Sequence, residues 1–255
     1  MAFGFVRRTE QVHRSKLEFE PMPVQDPAAL LMETMPKSVT PRALALDDAT
    51  LARFLSACHR RRYPNRTAIF MPGDRADVIY YIVDGSLSVV AEDDDGRELI
   101  LAYLNKGEFI GELGLFVETR KREVLVRTRA SCELAEISYE RLLQLFEGAL
   151  RDECPRILFA IGSQLTRRLL HTSRKVSRLA FMDVTGRISR ALLDLCAEPD
   201  ALSHPQGTQI RVSRQELSRI VGCSREMAGR VLKQLEEQTK ISVTGKTIVV
   251  FGTRG

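Results

Sequence analysis

Tryptophan is absent from the 255 residues, and histidine occurs only four times, at positions 13, 59, 171 and 204. Histidines so dispersed make no ligand cluster, so no bound metal and no cofactor are expected. A phosphodiesterase built on Glu112, Glu123 and the acidic turn at 93–95 is the weaker reading, because such hydrolysis usually needs a metal held by His and Asp. The five cysteines (58, 132, 154, 196 and 223) contain no CxxC pair. That argues against a disulfide framework and for a reducing, cytoplasmic setting. No apolar run is long enough to cross a bilayer, so no membrane partner is expected. Arg7-Arg8 is followed by no apolar segment, which argues against a twin-arginine export signal. What the sequence does hold is an uneven charge. Residues 156–255 carry 17 Lys and Arg against 8 Asp and Glu, whereas residues 1–155 carry 21 against 25. A basic C-terminal part on an acidic remainder points to a polyanionic partner for that part alone.

Within the basic part, Val212–Leu235 reads as two short helices joined by a tight turn. Ser213 is suited to cap the first helix, with Glu216 three residues on completing a capping box. Leu217, Ile220 and Val221 face inward, and Gly222 ends the helix. Ser224 caps a second helix whose apolar face is Ala228, Val231, Leu232 and Leu235. Arg225, Glu226, Gly229, Arg230 and Lys233 fall on the opposite face. An arginine fork can donate twice to guanine, and a glutamate can accept from the amino group of cytosine. Ser213, Arg214, Ser224 and Lys233 are the flanking candidates for phosphate contacts. An ordinary solvated amphipathic helix is the alternative. Ile241–Val243, the turn Thr244-Gly245-Lys246 and Thr247–Phe251 predict a hairpin, which makes the arrangement a winged one.

Upstream, residues 1–45 hold five prolines and no sustained period, and are expected to be a mobile extension. Asp47–Cys58 predicts a short helix with Leu51, Phe54 and Leu55 inward, and the basic run His59–Arg62 reads as its solvated end. From Tyr63 to Ile137, glycines at 73, 85, 96 and 107 separate β-branched and aromatic runs: Val78–Val83, Leu87–Val90, Glu98–Tyr103, Glu123–Thr128 and Cys132–Ile137. This is the spacing of a β sandwich or barrel. Within it lies Gly111-Glu112-Leu113-Gly114-Leu115-Phe116, followed by Arg122. Glycines let backbone N–H groups approach an anion, Arg122 can pair with a phosphate, and Glu112 can accept from a ribose hydroxyl. A glycine-rich strand turn explains the motif equally well.

Cys154-Pro155 then opens a long helix. Leu158, Leu165, Thr172 and Leu179 recur every seven residues, with Gly162, Leu169 and Val176 between them, a seam suited to a two-stranded coiled coil. A single core helix inside one domain is the alternative, and the DNA reading favours the homodimer because paired readers gain affinity and palindromic specificity. Asp183-Val184-Thr185 breaks the period as a hinge. A helix over 184–197 and a loop over Glu198–Gln209 lead into the reading motif.

The runs GELGLF, CELAEISYERL, RLAFMDVTGRI, SHPQGTQI, VSRQEL, VGCSRE and GKTIVV, in this order and spacing, resemble the CRP/FNR family of transcription regulators from about Ala45 to Arg254. The resemblance implies an α+β chain with no catalytic residues. Its parts are an extension (1–45), a cyclic-nucleotide-binding β-roll (46–154), a dimerisation helix and hinge (155–182) and a winged helix-turn-helix (183–255). It implies recognition of TGTGA-like palindromes in double-stranded DNA, with Arg225, Glu226 and Arg230 reading bases. It places Gly111, Glu112 and Leu113 at a ribose, Arg122 at a phosphate, and Arg168, Thr172 and Ser173 at a purine. His204 and Gly207 fall in the loop that touches RNA polymerase in the family. Where the cyclic-AMP branch carries a phosphate-binding serine, this chain has Glu123, an acidic residue shared with the branch that answers to cyclic di-GMP. The expected allosteric ligand is therefore cyclic di-GMP, weakening DNA binding. Activation by cyclic AMP, or constitutive binding with no ligand, are the alternatives. An iron–sulfur member would need a cysteine cluster near its N terminus, and no cysteine precedes Cys58.

Overall fold

A computed structural model describes residues 46–253, so the extension read at 1–45 and the last two residues lie outside the described residues. Helix α1 (Asp48–Ser56) starts where Asp47 accepts a hydrogen bond from the Thr50 amide at 2.7 Å. It buries Phe54 edge-on against Tyr81 and Phe109. The basic run that follows is not a helix end. It is strand β1 (His59–Tyr63), antiparallel to β8 (Cys132–Ser138) at the edge of a sheet. The helix stops at Ala57, and the arginines then alternate along an edge, where charged side chains are tolerated and discourage pairing with another chain. Arg60 and Arg62 both reach Glu133, at 3.4 and 3.3 Å.

Two four-stranded antiparallel sheets form the roll. One orders β1, β8, β3 (Val78–Asp84) and β6 (Phe109–Ile110). The other orders β2 (Ala68–Phe70), β7 (Leu125–Thr128), β4 (Ser86–Glu92) and β5 (Glu98–Asn105). The period-2 pattern explains the layers. Ile82, Leu87, Leu104, Val126 and Leu134 fill the space between the sheets. Ile79, Tyr81, Ala135 and Ile137 point the other way, onto the helices. Among these is α2 (Tyr139–Glu147), which the strand-by-strand reading passes over. Ser138 caps it by accepting from the Arg141 amide at 3.2 Å, and Leu142 and Leu145 are its buried face.

Helix α3 (Cys154–Phe181) has 28 residues and is about 42 Å long. Its inner face is tied to its own roll. Ile157 and Ile161 are buried in the core. Gln164 accepts from the Phe109 amide at 2.8 Å and donates to the Gly107 carbonyl at 3.0 Å. Its outer face bears Leu169, Val176 and Phe181, 67, 60 and 86% exposed. The chain leaves this helix at Met182 in an extended conformation, and Asp183 caps α4 (Val184–Cys196) through the Gly186 amide.

The remainder packs on one core, with α4, α5 (Arg214–Val221) and α6 (Arg225–Glu237) against a four-stranded sheet. That sheet orders β11 (Ile241–Thr244), β12 (Thr247–Phe251), β10 (Gly207–Arg211) and β9 (Leu202–His204). The segment 198–209 is thus mostly a short hairpin rather than a loop. Its prolines flank the pairing, and β9 is only three residues at the sheet edge.

Candidate DNA-reading surface and nucleotide pocket

The two helices of the reading motif are fixed by local chemistry. Ser213 accepts from the Glu216 amide at 3.1 Å, and Ser224 from the Met227 amide at 3.1 Å. The reciprocal half of the expected capping box is replaced by a distant partner: Glu216 accepts from the Tyr103 hydroxyl of β5 at 2.7 Å. Gly222 ends α5 in the left-handed conformation, φ 67°. Ala228, Val231, Leu232 and Leu235 are buried, as the apolar spacing predicts. This leaves Arg225, Glu226, Arg230 and Lys233 exposed on one side of α6. They share an open concavity with Arg214 and Gly229, where the Arg214 stem lies close over the glycine. Two guanidinium groups beside a carboxylate offer both donors and an acceptor to base edges.

The two residues expected at a polymerase-contacting loop are placed unequally. His204 is half-buried at the end of β9, its Nδ1 accepting from the Gln206 amide at 3.2 Å. Gly207 is buried in β10, where a Cβ would lie 2.0 Å from the Val250 oxygen. Its missing side chain serves sheet pairing and presents nothing to a partner.

In the roll, Gly111 has φ 82°, and a Cβ there would lie 2.8 Å from the Val78 oxygen. The glycine is needed so that Arg122 can tuck under the loop. Arg122 is 8% exposed. It donates to the Gly111 carbonyl at 3.1 Å and to that of Val78, approaches the Tyr139 hydroxyl, and stacks over Phe70 at 4.4 Å. Glu112 is 4% exposed and pairs with Arg168 of α3 at 2.7 Å, while Arg168 also donates to the Phe109 carbonyl. Three buried polar atoms here have no hydrogen-bond partner among the described residues: Glu112 Oε2, Arg122 Nε and Arg168 Nε. One acceptor and two donors suit a ribose hydroxyl and an anion, so the side chains fit the chemistry of a cyclic nucleotide. Leu113 opens a single 3₁₀ turn and is exposed, as are Glu123, Thr172 and Ser173.

The seam residues of α3 also divide. Leu158, Leu169 and Val176 are exposed, and a Cβ on Gly162 would meet nothing within 4 Å. Leu165 packs partly into the core of its own roll. Leu179, also exposed, approaches the turn of the reading motif at Gly222, as does Leu99.

Contacts between the roll and the winged domain carry no local signature in the sequence. Arg129 stacks on Tyr103 at 3.7 Å and pairs with Asp200 at 3.0 Å. Glu98 holds Arg127 at 2.7 Å and Arg219 of α5 at 3.2 Å. Burial pushes the Tyr103 hydroxyl upward in pKa, helped by Glu216. The one hint is an aromatic residue and a carboxylate on β5, a strand whose Ile100 and Leu104 are buried. Among the described residues no group of three or more side chains is placed to hold a metal, and no helix is long and apolar enough to cross a membrane.

Comparison with known proteins gives two family matches, the cyclic nucleotide-binding domain over residues 60–148 and the Crp-like helix-turn-helix domain over residues 186–251. The chain is 60% identical over 224 residues to the CRP-like protein Clp of Xanthomonas euvesicatoria, and likewise to that of Xanthomonas campestris. Each match covers 88% of this chain and 97% of the relative. The solved structure of Clp from Xanthomonas campestris, described as a c-di-GMP responsive global regulator, matches with a TM-score of 0.78 and 62% identity, over 81% of this chain and all of that one. A CRP/FNR-family transcriptional regulator from Thermus thermophilus shares the fold at 22% identity and a TM-score of 0.61, over 76% of this chain and 93% of that one. With a cyclic-nucleotide-binding roll joined to a Crp-like reading domain, and relatives this similar along nearly their whole length, the chain belongs to the CRP/FNR family of transcription regulators.

Proposed function

We propose that this regulator binds TGTGA-like palindromes as a homodimer in the cytoplasm, acts by binding rather than catalysis, and is released from DNA by cyclic di-GMP. The observation that carries the reading is the side-by-side exposure of Arg225, Glu226 and Arg230 on α6, backed by a fully buried apolar face. Ser213, Arg214, Ser224 and Lys233 flank it as phosphate contacts. Dimer formation is supported by Leu158, Gly162, Leu169 and Val176 on the outer face of α3, with Leu165, Thr172 and Leu179 at its margins. Two such helices side by side would present two readers to a palindrome. His204 is the more accessible of the two candidate RNA polymerase contacts.

Cyclic di-GMP is favoured by the close similarity to a c-di-GMP responsive protein and by Glu123, exposed directly after the phosphate-type arginine. The gating path is physical. A ligand engaging Gly111, Glu112, Leu113 and Arg122 competes for the Glu112–Arg168 pair, which ties the pocket to α3. The far end of α3 meets the reading motif through Leu179 and the link at Met182-Asp183. Cyclic AMP remains the second reading, because Glu112 Oε2 is free for a ribose and Thr172 and Ser173 are exposed on the same helix. Fluorescence anisotropy of a labelled palindrome at fixed salt, with no ligand, cyclic AMP or cyclic di-GMP, separates them. Tight binding weakened by cyclic di-GMP is expected. Binding only with cyclic AMP reverses the sign, and indifference to both makes the regulator constitutive.

A further inference from the structure

An open cleft of about 240 Å³ lies between β5, the C-terminal half of α3 and the winged domain. Ile100, Leu179, Ile220 and Val221 give it apolar walls, Arg167, Arg178 and Arg187 a cationic one, and Glu108, Asp194 and Glu198 stand among the lining as well. Lys175 stands on the cationic wall. Its amine donates to the Ile100 carbonyl, and among the described residues it makes no ion pair. The nearby carboxylate of Asp194 is already held by Arg178 and, at 3.3 Å, by Arg190. A half-buried amine lacking a counter-ion and neighboured by guanidinium groups is the setting that activates lysine as a nucleophile. The roles of Gly111, Glu112 and Arg122 leave this lysine unused.

We propose that Lys175 is an acyl-acceptor site, modified by a small acyl phosphate whose phosphate is held by the guanidinium groups of the cleft. The amine lone pair attacks the acyl carbon and a C–N bond forms. The bond from that carbon to the phosphate oxygen breaks, its electron pair leaves with inorganic phosphate, and phosphate or solvent takes the amine proton. Nothing is oxidised or reduced. Arg178 and Arg187 stabilise the departing phosphate by charge-assisted hydrogen bonds. The product amide keeps an N–H for Ile100, loses the positive charge, and sets its acyl group beside Leu179 and Ile220.

Burial, helped by Arg178, lowers the Lys175 amine from 10.5 to about 8 against the opposing pull of Asp194. At about pH 7.5 this raises the free-amine fraction roughly 200-fold over an ordinary lysine, and the weaker basicity takes back roughly tenfold, leaving a preference of about tenfold or more. The full-length chain would be incubated with acetyl phosphate and each of its eight lysines followed by peptide mass spectrometry. Lys175 is expected to acetylate about tenfold faster than the exposed Lys233, Lys240 and Lys246. The preference should vanish in urea, and added inorganic phosphate should slow Lys175 but not Lys240. Lys175 reacting no faster than the exposed lysines, a preference that survives unfolding, or equal slowing of every lysine by phosphate would overturn the proposal.

Discussion

Replacing Arg168 by methionine removes its pair with Glu112 at the heart of the sensor, together with a longer pair to Glu108 at 3.6 Å and a hydrogen bond to the Phe109 carbonyl. The Glu112 side chain is only 5% exposed and its Oε2 already lacks a partner, so removing Arg168 strands a carboxylate away from water. Breaking a fully buried pair this way costs about 3–5 kcal/mol. Arg168 is itself 20% exposed, and the space it vacates admits some water, so the expected cost is nearer 2–3 kcal/mol. For a chain of this size that is a fall in melting temperature of about 5–10 °C. Urea unfolding followed by circular dichroism would report it as a lower midpoint with little change in slope. Adding Glu112→Gln to Arg168→Met replaces the stranded charge with a neutral amide and should recover about half of the loss. A single variant within about 0.5 kcal/mol of the parent, or a double variant less stable than the single one, would refute this account of how α3 is held to the roll.

The remaining expectations can be measured on the same protein. Arg225→Ala and Arg230→Ala should each weaken binding to the specific palindrome by about 1–3 kcal/mol and to random DNA by less, and equal losses on both would reassign them to phosphates. Leu169→Asp with Val176→Asp should leave a folded monomer by sedimentation velocity, whereas Leu165→Asp should also damage the roll, because Leu165 packs partly into its core. The Lys175 amine binds its proton less tightly in the folded chain than unfolded, so this group makes stability rise with pH between about 8 and 10.5. Lys175→Met should flatten that rise in urea titrations, and an unchanged slope would mean the amine is not desolvated. Gly207→Ala should cost at least about 2 kcal/mol in the same titration, since its methyl group would sit on the Val250 carbonyl.

What can be read from the chain depends on whether the determining interactions are local. The reading helices are legible because Ser213, Gly222 and Ser224 act within four residues of themselves, and because the four apolar positions of α6 follow one period. The central strands are legible for the same reason. The basic run His59–Arg62 misleads because its strand is specified by β8, some seventy residues away, and not by its own composition. The hairpin of β9 and β10 is hidden by its brevity and flanking prolines. For the sensor, sequence supplies the identity of Glu112, Arg122 and Arg168 but not that the glutamate is tied to α3, nor that the phosphate-type arginine is occupied by carbonyl oxygens. The clasp of Tyr103 on Glu216 joins residues 113 positions apart, and no periodicity encodes such a pair.

The attachment of α3 has a mechanical consequence. Gln164, Arg168 and Lys175 fasten the helix to its own roll at three successive heights on one side. Sliding by one helical turn, about 5.4 Å, or rolling about its axis would break all three fastenings at once. The degree of freedom left to it is a swing beyond the last fastening, toward Phe181 and the link at Met182-Asp183. Past Lys175 the helix is held instead to the winged domain, where Arg178 pairs with Asp194 of α4, so the roll-bound length is the mount and the last turns carry the connection to α4.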